Sequence, residues 1–293
     1  MAAVIHLLSL FPDFVLYALG VLGGLLAYRL DSRHAAIGLR NLEIAYPELP
    51  AASHRRILRD SYLNLGRSGA EYIRLGGFFY RRLLRKVRYE GIEVWDEARR
   101  RYPGRGILIL TAHFGNFELL PAAHAMHGYQ ISLVHHTQRF LPGDALMTFV
   151  RERAGVEIIR KHAAARAVLR ALRDGEMIGI PFDQNAKRSE ALFVPFFGEL
   201  AATSSGLARL ARMSGAAVVP VFIVRDPNRR THRIVIEPEL SLQHTADAEA
   251  DILENTRQFV DAIERRVRSH PDQFLWTHRR YRTRPRGAPK IYE

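Results

Sequence analysis

The 293-residue chain contains no cysteine. That excludes a disulfide framework, any Cys-ligated zinc or iron–sulfur centre, and a thiol nucleophile. Lysine is also scarce: Lys86, Lys161, Lys187 and Lys290 are the only four among 43 basic residues. Acidic residues number 30, which leaves a formal charge of +13 and a pI of about 10.4. An arginine excess of this size fits nucleic acid, an anionic membrane surface or an acidic protein as partner, and equally a codon bias toward arginine. Internal repeats, low-complexity tracts and long linkers are missing as well. What remains is ordinary globular composition, 47% hydrophobic and 25% charged, which argues against wholesale disorder.

Residues 14–28, FVLYALGVLGGLLAY, form an uncharged apolar run. A spanning helix wants about 20 such residues, and Pro12 and Asp13 interrupt the upstream extension. No cationic segment precedes the run, and Tyr28-Arg29 follows it where a cleavable signal would have small residues. Residues 1–30 therefore read as a retained membrane anchor, spanning or lying in the interface, ahead of a domain over 31–293. A buried core helix is the other reading of the same run. Arg29, Arg33 and Arg40 follow at once, where an anionic cytoplasmic leaflet would attract them.

Helical spacing of Ile57, Leu58, Tyr62, Leu65, Tyr72 and Ile73 predicts a helix from about Ala51 to Leu75. Arg81, Arg82, Arg85, Lys86 and Arg88 then interleave with Phe78, Phe79, Tyr80, Leu83 and Leu84, an amphipathic basic stretch suited to a membrane surface or to a solvated helix face. From Gly106 the pattern becomes α/β alternation. Strands are expected at 107–110, 130–135, 177–182, 217–224 and 233–237. Helices are expected from Phe117, over 163–173 with Gly175 closing, from a Thr203 cap through Met213, and along Ile252, Phe259, Ile263 and Val267. The fold class is α/β, with a central mostly parallel or mixed sheet flanked by helices.

The stretch Leu110-Thr111-Ala112-His113-Phe114-Gly115-Asn116-Phe117-Glu118 lies where a buried strand ends and a helix starts. Ligands in open α/β sheets bind outside the carboxyl ends of strands. On one continuous helix His113 and Glu118 would diverge by about 140°. They meet only if His113 sits in the turn and Glu118 in the first helical turn, with Asn116 as N-cap and Gly115 relieving the turn. A carboxylate so placed would hold the imidazole in one tautomer as an acid–base dyad, and backbone N–H groups at the helix start would suit an oxyanion. Taken alone, a His-x4-Glu pair among 13 histidines is as well read as a surface contact. It is not an H-E-x-x-H zinc motif, and no metal site is expected.

LTAHFGNFE resembles the His-x4-Asp/Glu block of the glycerolipid and lysophospholipid acyltransferase superfamily, and more narrowly of the bacterial lipid A biosynthesis acyltransferases. The similarity continues in Asn41-Leu42 with Tyr46-Pro47-Glu48, in Gly179–Asn185, in Phe193–Gly198, in Ala202-Thr203 with Gly206-Leu207-Ala208, in Gly215–Pro220, and in Pro271–Arg280 with Thr283-Arg284-Pro285. These blocks cover essentially the whole chain in family order.

The resemblance implies a glycerolipid acyltransferase-like fold and an O-acyltransferase. His113 would be the general base on an acceptor hydroxyl and Glu118 its orienting carboxylate. An acyl thioester, normally on acyl carrier protein, would be the donor and a phosphorylated glycolipid the acceptor. No cofactor is implied, and the expected place is the cytoplasmic side of the bacterial inner membrane. Gly115, Asn116, Asp183 and Gln184 are expected at the substrate. Arg160 and Arg188, with Lys161, are candidates for phosphate or sugar groups or are solvated cations. Arg279 and Arg280 read as structural pairing. Ser204-Ser205, where relatives have a proline, and the variable Lys187–Glu190 leave the acceptor open, another lysolipid or phosphatidylinositol mannoside included. A hydrolase using the same dyad, and a basic membrane- or nucleic-acid-binding protein, are the competing readings. No nucleic-acid-binding motif is present, and the cations are spread along the chain, so nucleic acid is not expected as a partner.

Overall fold

A computed structural model describes residues 2–135, 141–160, 164–228 and 230–292. Four helices come first: α1 (Ala2–Leu8), α2 (Asp13–Leu30), α3 (Ser32–Ala45) and α4 (Ala51–Gly76). A short α5 (Tyr80–Leu84) leads into β1 (Val87–Glu90), α6 (Glu93–Arg101) and β2 (Ile107–Thr111). Then follow α7 (Leu119–Met126), β3 (Ile131–His135), α8 (Leu141–Arg153), β4 (Glu157–Arg160), α9 (Ala164–Arg173) and β5 (Met177–Pro181). The chain closes with β6 (Ala191–Phe196), β7 (Glu199–Ser204), α10 (Gly206–Ser214), β8 (Ala217–Arg225), β9 (His232–Ile236) and α11 (Ala248–Ser269).

Seven strands form one sheet in the order β1-β9-β8-β2-β5-β3-β4, with β8/β9 the antiparallel pair and every other neighbour parallel. The two central strands β2 and β8 are buried along their whole length, as continuous apolar runs require. Alternation along β2 divides the core. Leu108 and Leu110 face one layer with Val168, Leu207 and Phe259, while Ile107 and Ile109 face the other with Trp95, Leu120 and Val150. Helix α4 touches both layers, Leu58 and Tyr62 in one and Leu75 in the other.

Most expected elements form within a few residues of their predicted bounds. Gly215 takes φ +62° and closes α10, and Gly175 takes φ +84° beyond α9. Thr203 is the exception: it belongs to β7, and α10 begins at Gly206. Its hydroxyl accepts from Arg280 Nη2 at 2.6 Å instead of capping the helix.

The apolar run becomes α2, which is joined to the rest without a linker. Only Leu16 and Gly24 on it are buried, so it is not a core helix. Its contact face lies against α4 at glycine distance. A Cβ on Gly24 would sit 2.4 Å from the Tyr62 carbonyl, and one on Gly66 would sit 2.1 Å from that of Gly20. Asp13 pairs with Arg74 at 2.6 Å, and Tyr17 donates to Glu71.

Candidate active site

The parallel register sets Leu110 beside Ile180 and Thr111 beside Pro181, so β2 and β5 end together. His113 and Asp183 leave these two strand ends two residues further on, and they meet. The Asp183 Oδ1 accepts from the His113 backbone N–H at 3.0 Å and lies 2.9 Å from its Nδ1. One oxygen thus fixes both the backbone and the ring. Asp183 is buried (3% exposed), whereas the His113 side chain keeps 22% of its surface open. Burial works against an imidazolium, but the Asp183 charge and hydrogen bond, with a further contribution from Glu118, outweigh it and raise the His113 pKa above its ordinary 6.5. Burial likewise opposes the Asp183 carboxylate, and His113 outweighs it and holds that carboxyl below the usual range. The Gln184 amide nitrogen lies 3.3 Å from His113 Nε2, and the Phe117 ring meets the imidazole edge-on at 4.9 Å.

Glu118 does not hold the imidazole, contrary to expectation. Its two oxygens accept from Arg151 of α8, Oε2 from Nε at 2.9 Å and Oε1 from Nη2 at 2.6 Å. The turn between the two residues explains the separation. Gly115 sits at φ +63°, and a Cβ there would fall 1.8 Å from the Ile223 carbonyl oxygen, so only glycine fits. Its N–H donates to the Gln273 carbonyl at 2.8 Å and its carbonyl accepts from Asn64 Nδ2 at 3.2 Å. The Gly115 amide is therefore engaged within the protein. Asn116 is not the N-cap residue expected of it: α7 starts at Leu119, two residues later than predicted, with Glu118 at the N-cap, though Asn116 Oδ1 still accepts from the Leu119 N–H at 3.2 Å.

Beneath this turn lies a buried ionic cluster that sequence reasoning did not find. Glu71 of α4 accepts from Arg225 Nη1 at 2.6 Å and Nη2 at 2.8 Å, from Asn116 Nδ2 at 2.7 Å, and contacts His232 Nε2 at 3.0 Å. Arg225 also donates to Asn64 Oδ1 at 2.7 Å and to Ser68 at 3.0 Å. Burial raises the Glu71 carboxyl, but His232 and Arg225 outweigh it and lower its pKa overall. Asn64, Ser68 and Glu71 share one face of α4, but Arg225 and His232 come from β8 and β9 more than 150 residues on, so local spacing does not show that they meet.

The whole chain can now be set beside known proteins. A model of the bacterial lipid A biosynthesis acyltransferase family matches residues 1–283. The chain belongs to this family. It is 30% identical over 291 residues to the lipid A biosynthesis lauroyltransferase of Escherichia coli (strain K12), covering 99% of this chain and 92% of that one. The palmitoleoyltransferase of the same strain is 28% identical over 96% of this chain and 89% of its own length, and the myristoyltransferase 24% over 97% and 84%. As a family member the chain is an O-acyltransferase.

The remaining family blocks frame the site. Asn41 donates to the Trp276 and His278 carbonyls at 2.6 and 2.8 Å. The His278 ring accepts from the Asn185 N–H at 3.0 Å, and burial pushes its pKa down to about 4, so it stays a neutral acceptor beside Asp183. Arg280 is buried and donates to the Ala202 carbonyl at 2.8 Å and the Gln184 carbonyl at 3.2 Å, the structural pairing expected of it. Arg188 is exposed, donates to the Arg284 carbonyl at 2.6 Å and lies over Phe193. Arg160 ends β4 opposite His135; its side chain, like Lys161, lies outside the described residues. Among the described residues, no group of three potential ligands would hold a metal ion.

Proposed function

We propose that this acyltransferase moves a fatty acyl chain from an acyl thioester, carried on acyl carrier protein, to a hydroxyl of a phosphorylated lipid A precursor. The observation that supports it most is the His113–Asp183 contact where β2 and β5 end. With Nδ1–H donating to the carboxylate, the Nε2 lone pair is the ring's remaining proton acceptor. Nε2 takes the proton of the acceptor hydroxyl as its oxygen attacks the thioester carbonyl. The tetrahedral intermediate collapses with loss of the thiolate, and the imidazolium returns the proton to sulfur. Ester and free thiol are the products, and no acyl-enzyme forms, in keeping with a chain without cysteine.

In this reading Asp183 orients the base, the part first given to Glu118. Glu118 acts on the imidazole through its charge and ties α7 to α8 through Arg151. Gly115 and Asn116 shape the floor of the site, and Gln184 lies where the acceptor hydroxyl would approach Nε2. Residues 1–30 attach the domain over 31–293 to the cytoplasmic side of the inner membrane. Arg188, with Arg160, is kept for the acceptor phosphate, on the strength of its exposure and charge.

The test is mass spectrometry of lipid products after incubating purified protein with acyl carrier protein thioester and lipid A precursor. The wild type should yield the acylated precursor and His113→Ala none, a loss of about 10²–10⁴-fold. Free fatty acid released at the same rate with and without acceptor would make the protein a hydrolase. Undiminished transfer by His113→Ala would remove the base.

A further inference from the structure

The helices ahead of the sheet present an apolar surface to solvent. Leu7, Phe11, Phe14, Leu19, Leu22 and Leu26 are all exposed, Phe14 to 73%, and Phe78 joins them through its ring contact with His6 at 4.6 Å. Arg74 fixes the corner between α1 and α2: Nη1 donates to the Ser9 carbonyl at 2.5 Å and Nη2 to that of Phe11 at 2.8 Å. The corner is built, and its phenylalanines are held outward.

By length alone α2 would cross a bilayer, since 18 residues at about 1.5 Å each give about 27 Å. Its neighbour argues otherwise. Asp13 lies on Arg74, Gly20 on Gly66 and Gly24 on Tyr62, so α4 runs antiparallel along the same length. A bilayer enclosing α2 would enclose Asn64, Arg67, Ser68, Glu71 and Arg74 of α4, and ionisable groups at membrane depth are expensive. The same α4 holds the catalytic turn through Asn64 and Glu71, so α2 cannot sink without taking the sheet's carboxyl edge with it. The charges point the same way. Arg81, Arg82 and Arg85 are exposed beside Phe78 at one end of α2, and Arg29 and Arg33 are exposed at the other. A spanning helix collects its cations on one side of the membrane, whereas a helix lying in the interface carries them at both ends.

We propose that α1, α2 and Phe78 form an in-plane seat on one leaflet of an anionic bilayer, with both ends of α2 on the same side of the membrane. Resting on the reading of this protein as a membrane-bound lipid acyltransferase, the seat sets the depth at which the His113 turn meets its lipid acceptor. The linkage runs from α2 through Gly66 and Glu71 of α4 to Asn116.

The cysteine-free chain makes the topology directly measurable. Ala3→Cys, Ser32→Cys and Asp174→Cys each place one thiol at an exposed position, before α2, after it and in the sheet domain. Labelled with a membrane-impermeant maleimide in right-side-out and inverted inner-membrane vesicles, positions 3, 32 and 174 should react from one and the same side. Position 3 reacting from the side opposite to 32 and 174 would overturn the seat and leave a spanning anchor. Separately, purified protein should co-sediment with vesicles of phosphatidylethanolamine and phosphatidylglycerol, and Leu22→Glu with Leu26→Glu should weaken that partition by about tenfold or more. Unchanged partition of the double variant would overturn the seat. Wild-type protein that binds no vesicle would overturn the membrane reading itself.

Discussion

Two carboxylates stand near His113, and they do different work. Asp183 is 70 residues away in sequence and touches the ring, while Glu118 is five residues away and binds a guanidinium instead. Asp183 meets His113 because β2 and β5 are hydrogen-bonded neighbours whose register makes them end together. Glu118 is carried past the imidazole by the Gly115 turn, whose φ of +63° redirects the chain. Proximity in an α/β site follows strand order before it follows chain order.

The comparison breaks most decisively at Asp183. Asp183→Asn keeps the shape and an oxygen that both the backbone N–H and Nδ1–H can use, but removes the negative charge that stabilises the imidazolium. A base without its counter-charge should lose about 10²–10⁴-fold in kcat, with the acceptor KM little changed. Steady-state kinetics on detergent-dispersed substrate measures it. Activity within threefold of wild type would show that the Asp183 charge does not support the base.

The second break is in stability. Glu118 and Arg151 keep only 13% and 11% of their side-chain surface exposed. Glu118→Gln leaves Arg151 without its bidentate carboxylate and should cost about 3 kcal/mol of stability along with part of the activity. Adding Arg151→Gln removes the guanidinium whose bidentate carboxylate is gone and should recover most of that stability. Denaturant unfolding of the two variants decides it, and a double variant less stable than the single would show that Glu118 is not held there for its ion pair.

These differences mark what was legible in the sequence. The uninterrupted apolar runs of β2 and β8 and the helical spacing of α4 are local signals, and the elements followed them closely. The His-x4-Glu spacing drew attention to the turn after β2, but the carboxylate on the imidazole is Asp183 and not Glu118, because spacing holds no information on which strand lies beside β2. The β6–β7 hairpin went unread for a local reason. Its two-residue turn is Phe197-Gly198, both at positive φ, and phenylalanine gives none of the usual turn signal there. Tertiary contacts hold Phe197 in that conformation: its N–H donates to Glu264 at 2.6 Å and its ring lies under Arg268. The Glu71–Arg225 cluster, 154 residues apart, was out of reach altogether. The apolar run at 14–28 was recognisable as membrane-suited, yet the glycines that seat it on α4 looked like part of the same run.

The smallest effect sharpens the comparison most, because it separates contact from charge. A general base must be neutral to accept a proton, so activity falls on the acid side as His113 protonates. Burial lowers its pKa, and the Asp183 charge and hydrogen bond, then Glu118, raise it to a net value above 6.5, so the acid limb of kcat/KM should lie above that of a free imidazole. Asp183→Asn removes the largest raising influence and should move the limb to lower pH. Glu118→Gln removes a smaller one and leaves Arg151, which lowers the pKa, so its limb should move the same way but less far. The Glu118→Gln, Arg151→Gln double variant loses two opposing charges at once, and its limb should return toward that of the wild type. Initial rates across pH for the four proteins give the order directly. Should Glu118→Gln displace the limb further than Asp183→Asn, Glu118 touches the imidazole in the working enzyme and the five-residue dyad is restored.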